Sequence, residues 1–121
     1  MRLLIAIIVF LLFLVQDSAQ REMANWYFGN NAGLNFNNGV PSPLLDGQID
    51  TVEGCTSISH KETGQLLFYT EGRQVWNRNH ELMPNGDELL GSFSSTQSAL
   101  VIPLPGSDTL FYIFTSDVVR Q

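Results

Sequence analysis

The chain has 121 residues, with 12 acidic and 6 basic side chains and a formal net charge of −6. That balance excludes nucleic acid and acidic membrane surfaces as electrostatic partners. Hydrophobic residues make up 44% of the chain, and the single cysteine, Cys55, excludes a disulfide within it.

Met1 and Arg2 are followed by an unbroken apolar run over residues 3–15 and a short polar stretch over 16–20. A basic start, an apolar centre and a small residue, Ala19, predict a secretory signal peptide over residues 1–19, cleaved after Ala19 or Gln20. The run falls short of the roughly 20 apolar residues that a membrane-spanning helix needs. Membrane association is therefore expected only through an uncleaved signal. The absence of a following cysteine excludes a lipoprotein anchor. The expected location is secreted, extracellular or on the outer cell surface, with residues 20–121 as the mature region.

The rest of the chain predicts an all-β fold of short antiparallel strands, because small, β-branched and aromatic residues are broken by Gly, Asn and Thr clusters every few residues. Asn25, Trp26, Tyr27 and Phe28 form the first expected strand. Residues 29–33 turn the chain into a second strand, Leu34, Asn35, Phe36 and Asn37, whose alternation leaves one face wet. Asn38 and Gly39 make a tight turn, and Pro41 and Pro43 place the next stretch at a sheet edge or in a loop. Residues 46–53 read as a polar connection. Two strands, 55–59 and 65–70, follow, with Gly64 supplying the left-handed position of the loop between them. Glu71 and Gly72 turn into a strand over 74–77, a further turn follows at 84–87, and a last hairpin joins 99–102 to 109–115.

Leu67-Phe68-Tyr69 recurs as Leu110-Phe111-Tyr112, and Trp26-Tyr27-Phe28 precedes them at a comparable interval. A period of roughly 40 to 45 residues is that of a four-stranded propeller blade, so the expected architecture is a partial β-propeller of about two blades.

Sites of chemistry are sparse. Asp46, Asp50 and Glu53 share one connection without the spacing of a calcium loop, and read as a solvated acidic loop. His60 and His80 lack partners at zinc-ligand spacing, so no metal site and no cofactor are expected. The motifs of serine hydrolases, zinc peptidases and phosphate-binding loops are missing, and no catalytic residue is assigned. Cys55 reads as a small packed hydrophobe. Trp26, Phe68, Trp76 and Phe111 read as core side chains in preference to a sugar-stacking platform. Ligand contacts are expected on the polar turns, with Asn77, Asn79, Ser95 and Gln97 as the candidates.

Several runs together resemble a known family: Asn25-Trp26-Tyr27-Phe28-Gly29, Glu53-Gly54-Cys55, Leu66-Leu67-Phe68-Tyr69-Thr70, residues 75–80, Met83-Pro84-Asn85-Gly86 and residues 94–99. In this order they are similar to the N-terminal propeller-like region of large secreted gliding-motility-associated proteins, the type IX secretion substrates that end in a type B sorting domain. His60 and Glu71 stand where relatives usually carry Asp. The resemblance implies an exported, non-catalytic interaction or adhesion module, the N-terminal part of a larger protein, whose partner is an extracellular protein or glycan. The alternative is part of a secreted glycan-processing enzyme whose active site is completed by C-terminal blades.

Overall fold

The computed structural model describes residues 21–117. The signal-peptide segment 1–19 lies outside the described residues. After one 3-10 turn, Arg21–Met23, eight strands follow: β1 (Asn25–Phe28), β2 (Ala32–Asn35), β3 (Ser42–Leu44), β4 (Thr56–Ser59), β5 (Leu66–Thr70), β6 (Val75–Asn77), β7 (Ala99–Pro103) and β8 (Phe111–Thr115). They form three antiparallel sheets in sequence order, β1-β2-β3, β4-β5-β6 and β7-β8. The all-β antiparallel expectation holds. The described residues form no closed barrel or propeller.

In the first sheet Tyr27 pairs with Gly33, and Gly33 with Leu44. The prolines act as expected, since β3, with Pro43 at its centre, is an edge strand of its sheet, paired with β2 alone. β2 begins and ends earlier than the sequence suggests, because Phe36 already belongs to the turn and its carbonyl accepts from the Gly39 amide at 3.1 Å.

The second sheet carries most of the core. Phe68 pairs with Asn77, Tyr69 with Trp76 and Thr70 with Val75. Between Ile58 and Ser59 the β4-β5 register shifts. An extra residue on β5 interrupts the alternation of faces there, so Leu67 and Phe68 turn to one side while Leu66 and Tyr69 turn to the other. Beyond β6, residues 81–83 continue the sheet: Trp76 bridges Leu82, and the Asn77 and Met83 amides donate to the carbonyls of Glu81 and Val75 at 2.9 Å each.

These opposed faces organise two cores. Tyr27, Ile49, Leu66, Tyr69 and Trp76 fill the space between the first and second sheets. Ile58, Phe68 and Val75 pack with Val101, Phe111 and Ile113 between the second and third. Phe68 meets Phe111 edge-on at 5.3 Å between centroids, a favoured aromatic geometry.

Polar pins lock the layers. Buried Asn25 donates through Nδ2 to Ser59 Oγ and to the Gly64 carbonyl, and its Oδ1 accepts from Asn35. The Tyr27 amide donates to Ser57 Oγ at 2.7 Å, and Thr56 Oγ1 donates to the Ala99 carbonyl at 2.9 Å. Through these bonds β1, β4 and β7, the first strands of their sheets, lie side by side. Gly64 is held to glycine by its φ of +70°, and a Cβ there would displace the Asn37 side chain and stand 3.2 Å from the Ala24 Cβ.

Two expectations are corrected here. Trp26 is not a core residue: the alternation of β1 points Tyr27 inward and leaves the indole 45% exposed, resting on Phe36 and donating to the Met23 carbonyl. The recurring triplets also differ in phase. Phe68 packs away from the first sheet, whereas Phe111 packs back toward the second, so Tyr69 is buried and Tyr112 half-exposed. A one-residue slip inverts the faces of a strand. Trp26-Tyr27-Phe28 lies on the first strand of its sheet, while the other two copies fall on second strands.

Candidate functional site

Three surfaces could carry function, and the hydrogen bonding of each decides what it can do. At the edge of the first core the Tyr27 and Tyr69 rings stack at 4.5 Å, and Tyr69 stacks on Trp76 at 5.5 Å. Their hydroxyls meet a carboxylate and an imidazole. Tyr27 donates to Asp46 Oδ1 at 2.9 Å, His80 Nε2 lies 3.2 Å from Asp46 Oδ2, and His80 Nδ1 lies 3.0 Å from the Tyr69 oxygen. The Gln48 amide donates to that same oxygen at 3.1 Å. One tautomer satisfies every group: Tyr69 gives its proton to Nδ1, and Nε2–H gives its own to Asp46.

The hydrogen bonds run in line from Tyr27 through Asp46, His80 and Tyr69 to the Gln48 amide, so each polar end has a partner within the protein. Tyr69 is fully buried, so no substrate reaches its oxygen. Burial, the Asp46 hydrogen bond and the Asp46 charge hold the Tyr27 phenol well above the ordinary tyrosine range. Burial likewise raises Tyr69, against the pull of the Gln48 amide. Neutral, satisfied phenols make this network a clamp between the 45–50 connection, the first sheet and the loop after β6. His80 reaches it through a left-handed backbone, φ 63°.

The second surface is the cleft beside the β5-β6 turn. Glu71, 1% exposed at its side chain, accepts through Oε2 from the Arg73 amide at 3.2 Å and from Arg73 Nε at 3.1 Å, and through Oε1 from the Gln74 amide. The guanidinium carbon stands 5.7 Å from the centroid of the Phe93 ring.

The third surface is the outside of the β7-β8 hairpin. Cross-strand pairing sets Leu100 opposite Phe114 and Ile102 opposite Tyr112, all on the face away from the second sheet. Leu100, Ile102, Leu110, Tyr112 and Phe114 are between 42% and 58% exposed. The inner face of the same hairpin is also apolar. A sheet with two apolar faces is built to be covered on both.

No family model, curated protein or solved structure matches this chain.

The four candidate residues fall in two separate places, Asn77 and Asn79 at the end of β6 and in the turn after it, Ser95 and Gln97 before β7. Asn77 Oδ1 accepts from the amides of Asn79 and Glu81, at 2.8 and 3.1 Å, and so shapes the turn that carries His80. Ser95 and Gln97 lie in the approach to β7, where the Ser95 carbonyl accepts from Gly54 and the Gln97 carbonyl accepts from Ser116 Oγ. Their hydrogen bonds give Asn77 and Ser95 structural roles in their turns. No group of three or more metal-ligating side chains forms among the described residues. Cys55 is half-buried against the first core, and burial pushes its thiol up, away from the reactive thiolate.

Sequence reasoning missed the Asp46, His80 and Tyr69 network and the Arg73 and Phe93 stack. The one legible signal was Glu71 two residues before Arg73 in a tight turn.

Proposed function

We propose that the chain is a non-catalytic interaction module of an exported or cell-surface protein, its sheets being successive blades of a propeller-like array in the N-terminal part of that protein. The observation that carries this reading is the outer face of β7-β8, which repeats in composition the face already packed on the second sheet and has no cover among the described residues. Its occupant is a further antiparallel sheet, apolar on the facing side. Two features support the blade reading. The first strands β1, β4 and β7 neighbour one another as innermost strands do around an axis, and the second sheet gains a fourth, irregular strand at 81–83. The resemblance to the N-terminal region of type IX secretion substrates points to the same kind of protein.

Sedimentation velocity on the mature region, residues 20–121, tests it, since the apolar run over 3–15 would associate by itself. An uncovered face self-associates, and Tyr112→Lys with Phe114→Lys restores a monomer without changing the circular dichroism. A wild-type chain that stays monomeric at high concentration overturns the reading.

A further inference from the structure

The cleft beside Arg73 has a composition that the interaction-module reading does not require. Asn30, Asp50, Thr51, Val52, Arg73 and Phe93 line a space of about 580 Å³, inside the ~300–1,000 Å³ range of small-ligand sites. Thr51 and Val52 are tied up, donating through Oγ1 and the amide nitrogen to the Phe93 carbonyl at 2.9 and 3.2 Å, which fixes the two walls against each other. Three polar ends are left over. Among the described residues, the Asp50 carboxylate, the Asn30 amide and the terminal nitrogens of Arg73 have no hydrogen-bond partner in the protein, although Arg73 Nε is fixed by buried Glu71. Phe93 is 51% exposed, with its ring beneath the guanidinium.

Charge narrows the ligand. Glu71 already compensates Arg73, so Asp50 leaves the cleft with one net negative charge, on a chain whose formal charge is −6. An anion is repelled by that balance, and a cation meets the fixed guanidinium at close range. A neutral molecule avoids both costs. It needs hydroxyls that can donate to Asp50 and accept from Arg73 and Asn30, together with a flat C–H face for Phe93. Sugars supply both. We infer that this cleft binds a neutral hexose unit of a glycan, with Asp50 accepting from its hydroxyls, Arg73 and Asn30 donating to them and Phe93 stacking on the ring. The inference deepens the interaction-module reading and rests on it for its biological setting, but it does not depend on the number of blades.

The test is a two-dimensional NMR titration of the full chain with maltose, cellobiose and mannobiose, and with digalacturonic acid as the charged counterpart. At least one neutral disaccharide binds in the millimolar range and shifts the resonances of residues 30, 50–52, 73 and 93. The diuronic acid binds more weakly than its neutral counterparts. Asp50→Asn and Phe93→Ala each weaken binding by about tenfold, the loss expected of one hydrogen bond to a charged group or one ring contact, at unchanged melting temperature. Both side chains are exposed and outside the two cores, so neither variant is expected to unfold. Saturating neutral sugar with no shift in these residues overturns the inference, as does binding that both variants leave intact or preferred binding of the diuronic acid. Sedimentation reports on the hairpin face independently, so a failed sugar site and a failed module are told apart.

Discussion

Tyr69 joins more elements than any other side chain in the first core. Its ring lies between Tyr27 and Trp76, and its oxygen bridges Gln48 and His80. Tyr69→Phe keeps the ring and leaves the Gln48 amide without its acceptor and His80, only 20% exposed at its side chain, without the donor to Nδ1. Such a loss costs about 1–3 kcal/mol when the orphaned group is shielded from water. Tyr27→Phe costs less, because Asp46 is half-exposed and water replaces the phenol. Chemical denaturation of the two variants gives that order. The same phenols set an alkaline limit. Both are raised in the folded state, so the fold holds their protons more tightly than the unfolded chain, whose tyrosines titrate near about 10. Stability is complete below that pH and declines as the pH rises through it. Unfolding midpoints measured from pH 8 to 11 should fall at the alkaline end, and the Tyr27→Phe/Tyr69→Phe chain should show a shallower fall. Little of this site was legible in the sequence. Asp46 and His80 lie in different loops, and His80 is brought back by a left-handed backbone that L-residues seldom adopt, for which a lone histidine gives no signal.

Among the elements, β5 decides the architecture, because its bulge sends Leu67 and Phe68 to one core and Leu66 and Tyr69 to the other. The strands themselves were legible: alternation and turn residues located the β4-β5, β5-β6 and β7-β8 hairpins with boundaries off by one or two residues. Which face each residue takes was not. A bulge inserts one residue and reverses the alternation, so identical triplets at 67–69 and 110–112 end in opposite environments. Phe68→Ala removes a ring packed on Phe111 and Ile58, and a buried Phe→Ala change costs about 3–5 kcal/mol, against a total of ~5–15 kcal/mol for a domain. Loss of the folded state at ambient temperature, or a sharply lowered denaturation midpoint, is the expected result. The β5-β6 turn is as intolerant for a different reason. Gly72 has φ of +92°, and a Cβ there would lie 2.6 Å from the Ser98 carbonyl oxygen, so Gly72→Ala strains the turn and pushes the approach to β7 off the second sheet. Circular dichroism melting of Gly72→Ala should show destabilisation comparable to a core deletion, although the substitution adds a single methyl group.

At the scale of the molecule the three sheets are unequally supported. Among the described residues the second has apolar cover on both faces, the first and third on one each. Cooperative stability follows buried apolar area and shielded backbone hydrogen bonds, so amide hydrogens should exchange most slowly in β5, faster in β1 and β2, and fastest in β7 and β8. The third sheet is also only two strands wide, and an isolated hairpin is marginal in water. Its hold on the rest comes from Val101, Phe111 and Ile113 on one side, while Leu100, Ile102, Tyr112 and Phe114 have no cover among the described residues. Covering that outer face should therefore raise protection in β7 and β8 far more than in β1, with β5 changing little because it is already sandwiched. Hydrogen exchange with mass spectrometry, at concentrations below and above that at which the chain self-associates, measures this gradient. Uniform, high protection across all three sheets in the dilute monomer, with one sharp thermal transition, would mean that the described residues close their own core and that the outer hairpin face is not a docking surface.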